Sequence, residues 1–401
     1  MKIVQINMVD YGSTGRIMKD ISEALKDEGE QSFTFSMKWK NNKNTKNNQH
    51  FYFGYYLENA FHQLLGKCFG TGGLYSFFGT KQLIRKIKHI KPDIVHFHNL
   101  HNCYIDFPLI FRFLNKNHIK IIITMHDCWM ITGKCPHFLF SKCEKWKQEC
   151  GNCPALNDYP KSKFDNTKRM LAIKKNVFLK RNIFIVSPSV WLSKIVNQSF
   201  LSNNKIKVIN NGIDLKVFKP IQNPLNKNHL DRKKKIVLGV ASNWTKQKGI
   251  DVFIELSTKL DSELYQIVLV GNIDDSFAIQ NTNIIHIPSI TNKEDLVDIY
   301  SLSFIFLNPT LEDTFPTVNM EANACGLPVI TFNTGGCKET IEENSGICLT
   351  DKSVEAIIEA IKEIENNNTF YKNNSILASY KHSKDKTVEK YIEFYKEVLK
   401  K

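Results

Sequence analysis

The sequence predicts an α/β protein of two domains, each alternating strands with helices. Three observations carry this expectation. The chain has 401 residues, enough for two domains of ordinary size with a core each. Short apolar, β-rich runs alternate with helical patterns in both halves, and no internal repeat is present. A polar, basic stretch from Asn223 to Lys235 reads as the loop before a second β-rich start at Ile236 to Val240.

Composition narrows the class. With 42% hydrophobic and 23% charged residues the chain is globular rather than disordered. No apolar run approaches the roughly 18 residues of a membrane-spanning helix. The start, MKIVQINMVD, enters a strand directly and lacks a signal-peptide core, so the expected location is the cytoplasm. The net charge of +14 is uneven: residues 1–200 hold 30 Lys and Arg against 14 Asp and Glu, and the remainder 24 against 26. A basic first half fits a domain that meets something anionic. Nucleic acid is one candidate, but no recognised binding motif is present. An anionic membrane face or a lipid-diphosphate acceptor is the other, and plain solubility explains the charge as well.

Lys2 to Asn7 reads as the first strand. Gly12-Ser13-Thr14-Gly15-Arg16 follows, then a helix with Ile17, Ile21 and Leu25 on one face. Strand, glycine loop and helix let backbone approach a phosphate or sugar; the full dinucleotide spacing is missing, which argues against a nicotinamide cofactor. Residues 40–50, rich in Asn and Lys, read as a surface loop. Phe51 to Gly79 carries many aromatics and is expected to form a helical pair covering the sheet. An amphipathic surface for lipid or acceptor is the alternative.

Ile94 to His98 is a strand ending in His98-Asn99-Leu100-His101. Ile119 to Thr124 is another, and it delivers His126 and Asp127 to its C-terminal end, where ligands of open α/β sheets gather. Asp127 stands beside His126 as a candidate to orient its ring. Cys135, Cys143, Cys150 and Cys153 fall close together among ten cysteines. In a cytosolic protein such a group reads as a metal site rather than disulfides. Four thiolates suit a structural zinc, with His137 as a substitute ligand, and leave no open position for a catalytic one. Ile183 to Ser187 is a further strand, and Pro188-Ser189 opens a helix through Val196.

In the second half, Ile236 to Val240 leads through Ala241 to Gly249, with Lys246 and Lys248, into a helix from Ile250. Gln266 to Val270 and Ile284 to Ile287 are strands, Lys293 to Ser301 a helix, and Leu302 to Leu307 a buried strand. Asn308 to Thr340 then concentrates the chemistry. Thr317 to Cys325 reads as a helix between Pro316 and the Gly326/Pro328 stop, with Leu327 to Phe332 a strand. Asp313 therefore sits in a strand-to-helix loop and Glu321 within the helix. The first helical amides, at Thr317 and Val318, suit a diphosphate. Carboxylates beside them suit sugar hydroxyls. Val354 to Ile364 and Asp385 to Leu399 are amphipathic helices.

This stretch resembles the carboxylate motif of family 4 of the retaining, nucleotide-sugar-dependent glycosyltransferases with the GT-B fold. That motif is an acidic residue, seven others, then Glu, a small-residue helix, Gly, Pro and an apolar strand, and Asp313 and Glu321 have the spacing. Asp replaces the usual first Glu, and Glu312 immediately precedes it, so either presents the first carboxylate. Thr334-Gly335-Gly336 with Glu339 matches the following turn. Val208 to Asp214 with Phe218 matches the domain-crossover segment. His126-Asp127-Cys128-Trp129 and the cysteine group resemble a colanic-acid-type branch.

The resemblance implies two Rossmann-like domains with parallel sheets facing a central cleft. Residues 1–210 would bind the acceptor and 211–384 the donor, with helix 385–401 packing back on the first domain. It implies His126 on the transferred sugar, Asp313 on the donor sugar, Glu321 on the nucleotide ribose, and Gly12 to Gly15 near the donor phosphates and acceptor. Lys248 would hold the diphosphate. Asn243 stands where the family has an Arg five positions earlier, which makes Lys246 a candidate for the missing charge. The implied reaction is retaining transfer from a nucleotide diphosphate sugar to a lipid-linked bacterial surface saccharide. It needs no catalytic metal, leaves the zinc structural, involves no nucleic acid, and allows peripheral contact with an anionic membrane. A same-fold transferase with a soluble acceptor and a non-enzymatic nucleic-acid-binding protein are the rival readings.

Overall fold

The computed structural model describes residues 1–39, 49–179, 183–277, 279, 282–290 and 292–400. They form two compact units, residues 1–210 with 387–401, and residues 211–386. The surface loop expected over 40–50 lies outside the described residues as far as residue 48.

The strands of the first unit are short runs rich in Ile, Val and Phe. They are β1 (Lys2–Ile6), β2 (Gln31–Met37), β3 (His50–Phe53), β4 (Ile94–Phe97), β5 (Lys120–Thr124), β6 (Ile183–Ser187) and β7 (Ile206–Val208). All pair in parallel, in the order β3-β2-β1-β4-β5-β6-β7. Parallel neighbours need crossovers, which helices supply while covering both faces. These helices are α1 (Gly12–Asp27), α2 (Tyr56–Phe69), α3 (Phe77–Ile90), α4 (Phe107–Lys116), α5 (Thr167–Phe178) and α6 (Val190–Asn197). On one face Leu83 and Ile87 of α3 and Ile110, Phe111 and Leu114 of α4 join Val4, Ile6, Val95 and Phe97 in a single core.

The second unit repeats the plan. Strands β8 (Lys235–Asn243), β9 (Tyr265–Asn272), β10 (Ile284–Ile287), β11 (Ile305–Asn308), β12 (Val329–Phe332) and β13 (Gly346–Leu349) form an all-parallel sheet in the order β10-β9-β8-β11-β12-β13. Helices α7 (Ile250–Lys259), α8 (Lys293–Leu302), α9 (Thr317–Ala324), α10 (Val354–Asn366) and α11 (Asn368–Ser379) connect and follow its strands. In both sheets the order reverses beside the first strand, at β1/β4 and at β8/β11. Connections leave for opposite faces there, so a crevice opens at the C-terminal strand ends.

The last helix, α12 (Lys384–Leu399), belongs from Thr387 onward to the first unit. Tyr391, Ile392, Phe394, Tyr395 and Val398 pack on Ile3, Ile17, Ile21, Ile122 and Val186, closing the second face of the first sheet. A buried polar chain pins it. Tyr395 OH and His96 Nδ1 hydrogen-bond at 2.7 Å, His96 Nε2 and Thr124 Oγ1 at 2.8 Å, and Thr124 Oγ1 and Tyr391 OH at 3.0 Å. Burial, with His126 nearby, pushes the His96 imidazole down to about 3, so the ring is neutral and both nitrogens are engaged.

Three expectations change. Phe51 to Phe53, expected to be helical, lies in edge strand β3, with Phe51 stacked on Phe35 of β2 at 5.3 Å. The strand expected from Leu302 starts at Ile305, because Leu302 still closes α8 and the Ser303 hydroxyl donates back to Ile299 O at 2.7 Å. Helix α1 begins at Gly12 itself, so Gly12 to Gly15 form its first turn rather than a loop before it. The structure also adds β2, β13, α4, α5 and α11.

The His96 chain makes a thermodynamic statement. Tyr395→Phe leaves a buried imidazole nitrogen without its hydroxyl partner and is expected to cost about 1–3 kcal/mol. Urea denaturation followed by circular dichroism reads this as a lower midpoint at unchanged slope. An unchanged midpoint would show that α12 is held by its apolar contacts alone.

Candidate functional site

At the β8/β11 reversal two loops interlock. After β8 the chain makes one tight turn at Lys246–Lys248, in which the Thr245 hydroxyl accepts from Lys248 N at 3.3 Å. Gly249 closes the turn at φ +80°, and a Cβ there would stand 2.4 Å from the Pro309 carbonyl oxygen. Only glycine permits that approach. Gln247 O accepts from Leu311 N at 2.8 Å and from the Thr310 hydroxyl at 3.3 Å, so the turn lies on the loop that follows β11.

This docking brings Lys248 Nζ to 2.8 Å from Asp313 Oδ2. Burial pulls the lysine's pKa down, but the Asp313 charge and hydrogen bond outweigh it and leave the group above its ordinary value, a firm cation. Asp313 Oδ1 accepts from Phe315 N at 3.2 Å, and the Asp313 carbonyl accepts from Gly336 N at 3.0 Å. Gly335, at φ +56°, has no room for a Cβ, which would fall 2.0 Å from that same carbonyl oxygen. Beneath the loop, Asn308 Nδ2 donates to Asn319 Oδ1 at 2.7 Å and Asn319 Nδ2 to Thr340 Oγ1 at 2.8 Å. Thr334 Oγ1 donates to Thr310 O at 2.7 Å. Helix α9 then starts at Thr317 after Pro316, with no side chain capping its first amides.

Of the two adjacent carboxylates, Asp313 is the one that meets Lys248; Glu312 is buried, as is Glu321 within α9. Asn243, at the end of β8, is exposed and accepts from Asn272 Nδ2 at 3.2 Å. Lys246 Nζ lies 3.9 Å from Asp251 with both groups exposed, an ion pair of little consequence. The buried Asn308–Asn319–Thr340 chain has no counterpart in the sequence reading.

At the β1/β4 reversal of the first unit, Asn7 Nδ2 donates to Thr14 Oγ1 at 3.0 Å and to Val9 O at 2.8 Å, tying the end of β1 to the first turn of α1. His98 and His126 follow β4 and β5. Their rings stack at 5.7 Å and 18°, with His98 Nδ1 3.5 Å from His126 Nε2, and His98 Nε2 reaches Gln5 Oε1 at 3.0 Å. Burial lowers both imidazoles, His126 to about 4, so His126 is neutral at pH 7 and suited to hydrogen-bonding a sugar hydroxyl rather than to giving up a proton.

Asp127 is engaged elsewhere than the sequence proposes. Its Oδ2 meets His101 Nε2 at 2.7 Å and its Oδ1 accepts from Trp129 N at 2.8 Å, while His98 is the ring that lies against His126. Burial opposes both charges, yet the His101 charge and hydrogen bond bring Asp127 down to about 2, and Asp127 in turn holds His101 above its ordinary value. The two form an ion pair. His101 was visible in the sequence only as the end of a strand, and its partner lies 26 positions further along the chain.

Cys135, Cys143, Cys150 and Cys153 line one cavity of about 20 Å³, together with Phe138 and Trp146. Two buried lysines hold the surrounding segment: Lys174 Nζ donates to Trp129 O at 2.6 Å and Thr132 O at 2.9 Å, and Lys134 Nζ to Ala155 O at 2.9 Å. Cys135 and Cys153 act on each other: the neighbouring thiol lowers Cys153, while Cys153 and burial raise Cys135. Among the described residues no three His, Cys, Asp or Glu stand where they could hold one metal ion.

Comparison with known proteins adds the following. The model of Glycosyltransferase Family 4 matches residues 14–217, and that of Glycosyl transferases group 1 matches residues 222–382. A putative colanic acid biosynthesis glycosyl transferase of Escherichia coli K12, WcaC, is 26% identical over 284 residues, 68% of this chain and 67% of that protein. The N,N'-diacetylbacillosaminyl-diphospho-undecaprenol alpha-1,3-N-acetylgalactosaminyltransferase of Campylobacter jejuni is 27% identical over 217 residues, 50% of this chain and 56% of that one. Among solved structures, Anabaena HepE in complex with UDP-glucose has a TM-score of 0.68 over 99% of this chain and 100% of its own, at 14% identity.

The His101–Asp127 pair predicts a pH dependence. Because the folded pKa of His101 is raised, its contribution is complete below about 6.5 and is lost as pH climbs through the raised value; because that of Asp127 is lowered, its contribution is present above about 3.9 and lost as pH falls toward 2. His101→Gln is therefore expected to lower the melting temperature most between about pH 4 and 6.5, and progressively less at higher pH. A deficit independent of pH over that range would show that the pair is not charged.

Proposed function

We propose the following reaction for a chain that belongs to glycosyltransferase family 4, has the GT-B fold of two Rossmann-like domains and is a glycosyltransferase. It transfers a sugar from a nucleotide diphosphate sugar, with retention of configuration, to a lipid-linked saccharide on the way to a bacterial surface polysaccharide. Membership of the family removes the non-enzymatic alternative.

The observation that carries the donor assignment is the Lys248–Asp313 pair, set at the sheet reversal just before the uncapped start of α9. The donor's diphosphate takes the Lys248 ammonium and the amides of Thr317 and Val318, two features beside this loop that attract an anion. Asp313, released from the lysine, accepts from hydroxyls of the sugar, and Glu321 accepts from the nucleotide ribose. When the bond between the sugar and the diphosphate breaks, charge accumulates on the leaving phosphate, where these fixed donors stabilise it. The acceptor hydroxyl adds to the face the diphosphate leaves, and its proton passes to the departing phosphate. His126, kept neutral by burial, contributes a hydrogen bond to a sugar hydroxyl.

HepE in complex with UDP-glucose supports a nucleotide diphosphate donor, and the Campylobacter N-acetylgalactosaminyltransferase supports a diphospho-undecaprenol-linked acceptor. The WcaC relative supports a place in polysaccharide synthesis.

The test is transfer from a panel of nucleotide diphosphate sugars to a polyprenyl-diphosphate saccharide and to the same saccharide without lipid, with the product's anomeric configuration read by NMR. Retention and preference for the lipid-linked acceptor are expected; inversion, or equal use of both acceptors, would overturn the corresponding part. In the same assay Lys248→Met is expected to reduce turnover by about 10²–10³, and Asp313→Asn to cost more than Glu312→Gln. The reverse order of the two carboxylates would shift the site by one residue.

A further inference from the structure

Helix α2 is built inside out. The side chains it buries include Asn59 and His62, and His62 hydrogen-bonds to Ser76 Oγ at 2.6 Å and accepts from Gly73 N at 3.0 Å. Apart from Lys67 in its last turn, the side chains it exposes are largely apolar. Leu57 is 80% exposed, Phe61 59% and Leu64 57%, and their i, i+4, i+7 spacing sets them on one stripe. Scattered exposed hydrophobics need no explanation, but a continuous stripe of large ones on a helix does.

The stripe is joined to α3. The Glu58 carboxylate of α2 accepts from Phe78 N at 2.6 Å and Gly79 N at 2.8 Å, so the two helix starts are clamped together. Phe77 and Phe78 are exposed beside them. Lys81 Nζ sits 4.1 Å from the Phe77 ring and leads into a groove between α3 and α4 of about 400 Å³. Five cations line that groove, Lys81, Arg85 and Lys88 from α3 and Arg112 and Lys116 from α4, with no carboxylate among its lining residues. All five are exposed. Lys88 Nζ lies over the Phe113 ring at 5.7 Å, so cation and apolar surface alternate here too.

We propose that α2 and the α3–α4 groove form one docking face that seats the first unit on an anionic membrane surface. The chemistry fits that occupant on both counts. Leucine and aromatic side chains enter the boundary between headgroups and acyl chains, while long cationic side chains reach lipid phosphates from the same face. A nucleic acid would use the cations and the aromatic rings but leave the Leu57–Phe61–Leu64 stripe in water, and a second copy of this equally basic chain would meet the groove with like charge. The face deepens the reading of a lipid-linked acceptor, on which its purpose rests.

Co-sedimentation of the full chain with phosphatidylcholine vesicles, with and without phosphatidylglycerol, at low and high salt, tests it. The vesicles carry no saccharide, so the result is separate from the identity of the acceptor, which the transfer assay decides. Binding to anionic vesicles at low salt, release at high salt and poor binding to neutral vesicles are expected. The triple variant Arg85→Ala, Arg112→Ala, Lys116→Ala is expected to lose about a hundredfold in vesicle affinity. The variant Leu57→Ser, Phe61→Ser, Leu64→Ser is expected to lose at least about tenfold. Both alter exposed positions only, and an unchanged far-ultraviolet circular dichroism spectrum and thermal unfolding curve of the full chain report that each variant is folded. Equal binding to neutral and anionic vesicles, or wild-type affinity in either variant, would overturn the proposal. Displacement from vesicles by a single-stranded oligonucleotide would also overturn it, as would a solution dimer that the stripe variant abolishes.

Discussion

Two backbone approaches closer than any side chain could survive hold the second unit's site together. Gly249 lies against the Pro309 carbonyl, and Gly335 against the Asp313 carbonyl. The first brings the lysine turn onto the loop after β11; the second fixes the backbone of the aspartate that the lysine meets. The Lys248–Asp313 ion pair follows from these contacts. An opposite charge so placed keeps a part-buried lysine cationic, which is what the proposed diphosphate would require of it. The buried amide chain through Asn308, Asn319 and Thr340 fastens the loop to α9 from below, so the carboxylate and the helix start are positioned by the same rigid layer.

The first unit solves a different problem. It places His96 inside β4, where ordinary parallel strands carry Val or Ile, and His98, His101 and His126 just beyond the ends of β4 and β5. His96 is bonded by Tyr395 and Thr124, His98 by Gln5, and His101 by Asp127. Desolvation keeps His96, His98 and His126 neutral, while a carboxylate keeps His101 charged. One sheet edge therefore offers neutral hydrogen-bonding rings at His126 and a fixed ion pair a short way along, set by environment rather than by residue type. The chain's last helix supplies the tyrosines that make this possible, which ties the C-terminal residues to the chemistry of the opening strands.

The fold was largely legible because buried parallel strands read as unbroken apolar runs. Ile183 to Ser187 and Ile284 to Ile287 match their strands end to end. Strand β3 was hidden because its aromatics run straight into those of α2, and β13, with the sequence GICL, is too short and mixed to stand out. Helix α11 buries Tyr371, Ser375, Ala378 and Ser379, a face too polar for its periodicity to show. At the site, spacing and the stop signals of α9 exposed the Asp313 and Glu321 candidates. Contacts across the chain did not show. Lys248 meets Asp313 across a sequence separation of 65, and nothing local marks Asp127 as the partner of His101 rather than of its neighbour His126. The cysteine group was visible as a group, whereas the mutual influence of Cys135 and Cys153 depends on how the intervening loop turns.

The central claim is that Lys248, Asp313 and the start of α9 make the donor site. A crystal structure of the chain with a bound nucleotide diphosphate sugar tests it most directly. The account expects the diphosphate within hydrogen-bond reach of Lys248 Nζ and the Thr317 and Val318 amides, with the Asp313 carboxylate turned from the lysine to the sugar. A diphosphate bound elsewhere, with the Lys248–Asp313 pair intact at its present 2.8 Å, would contradict it.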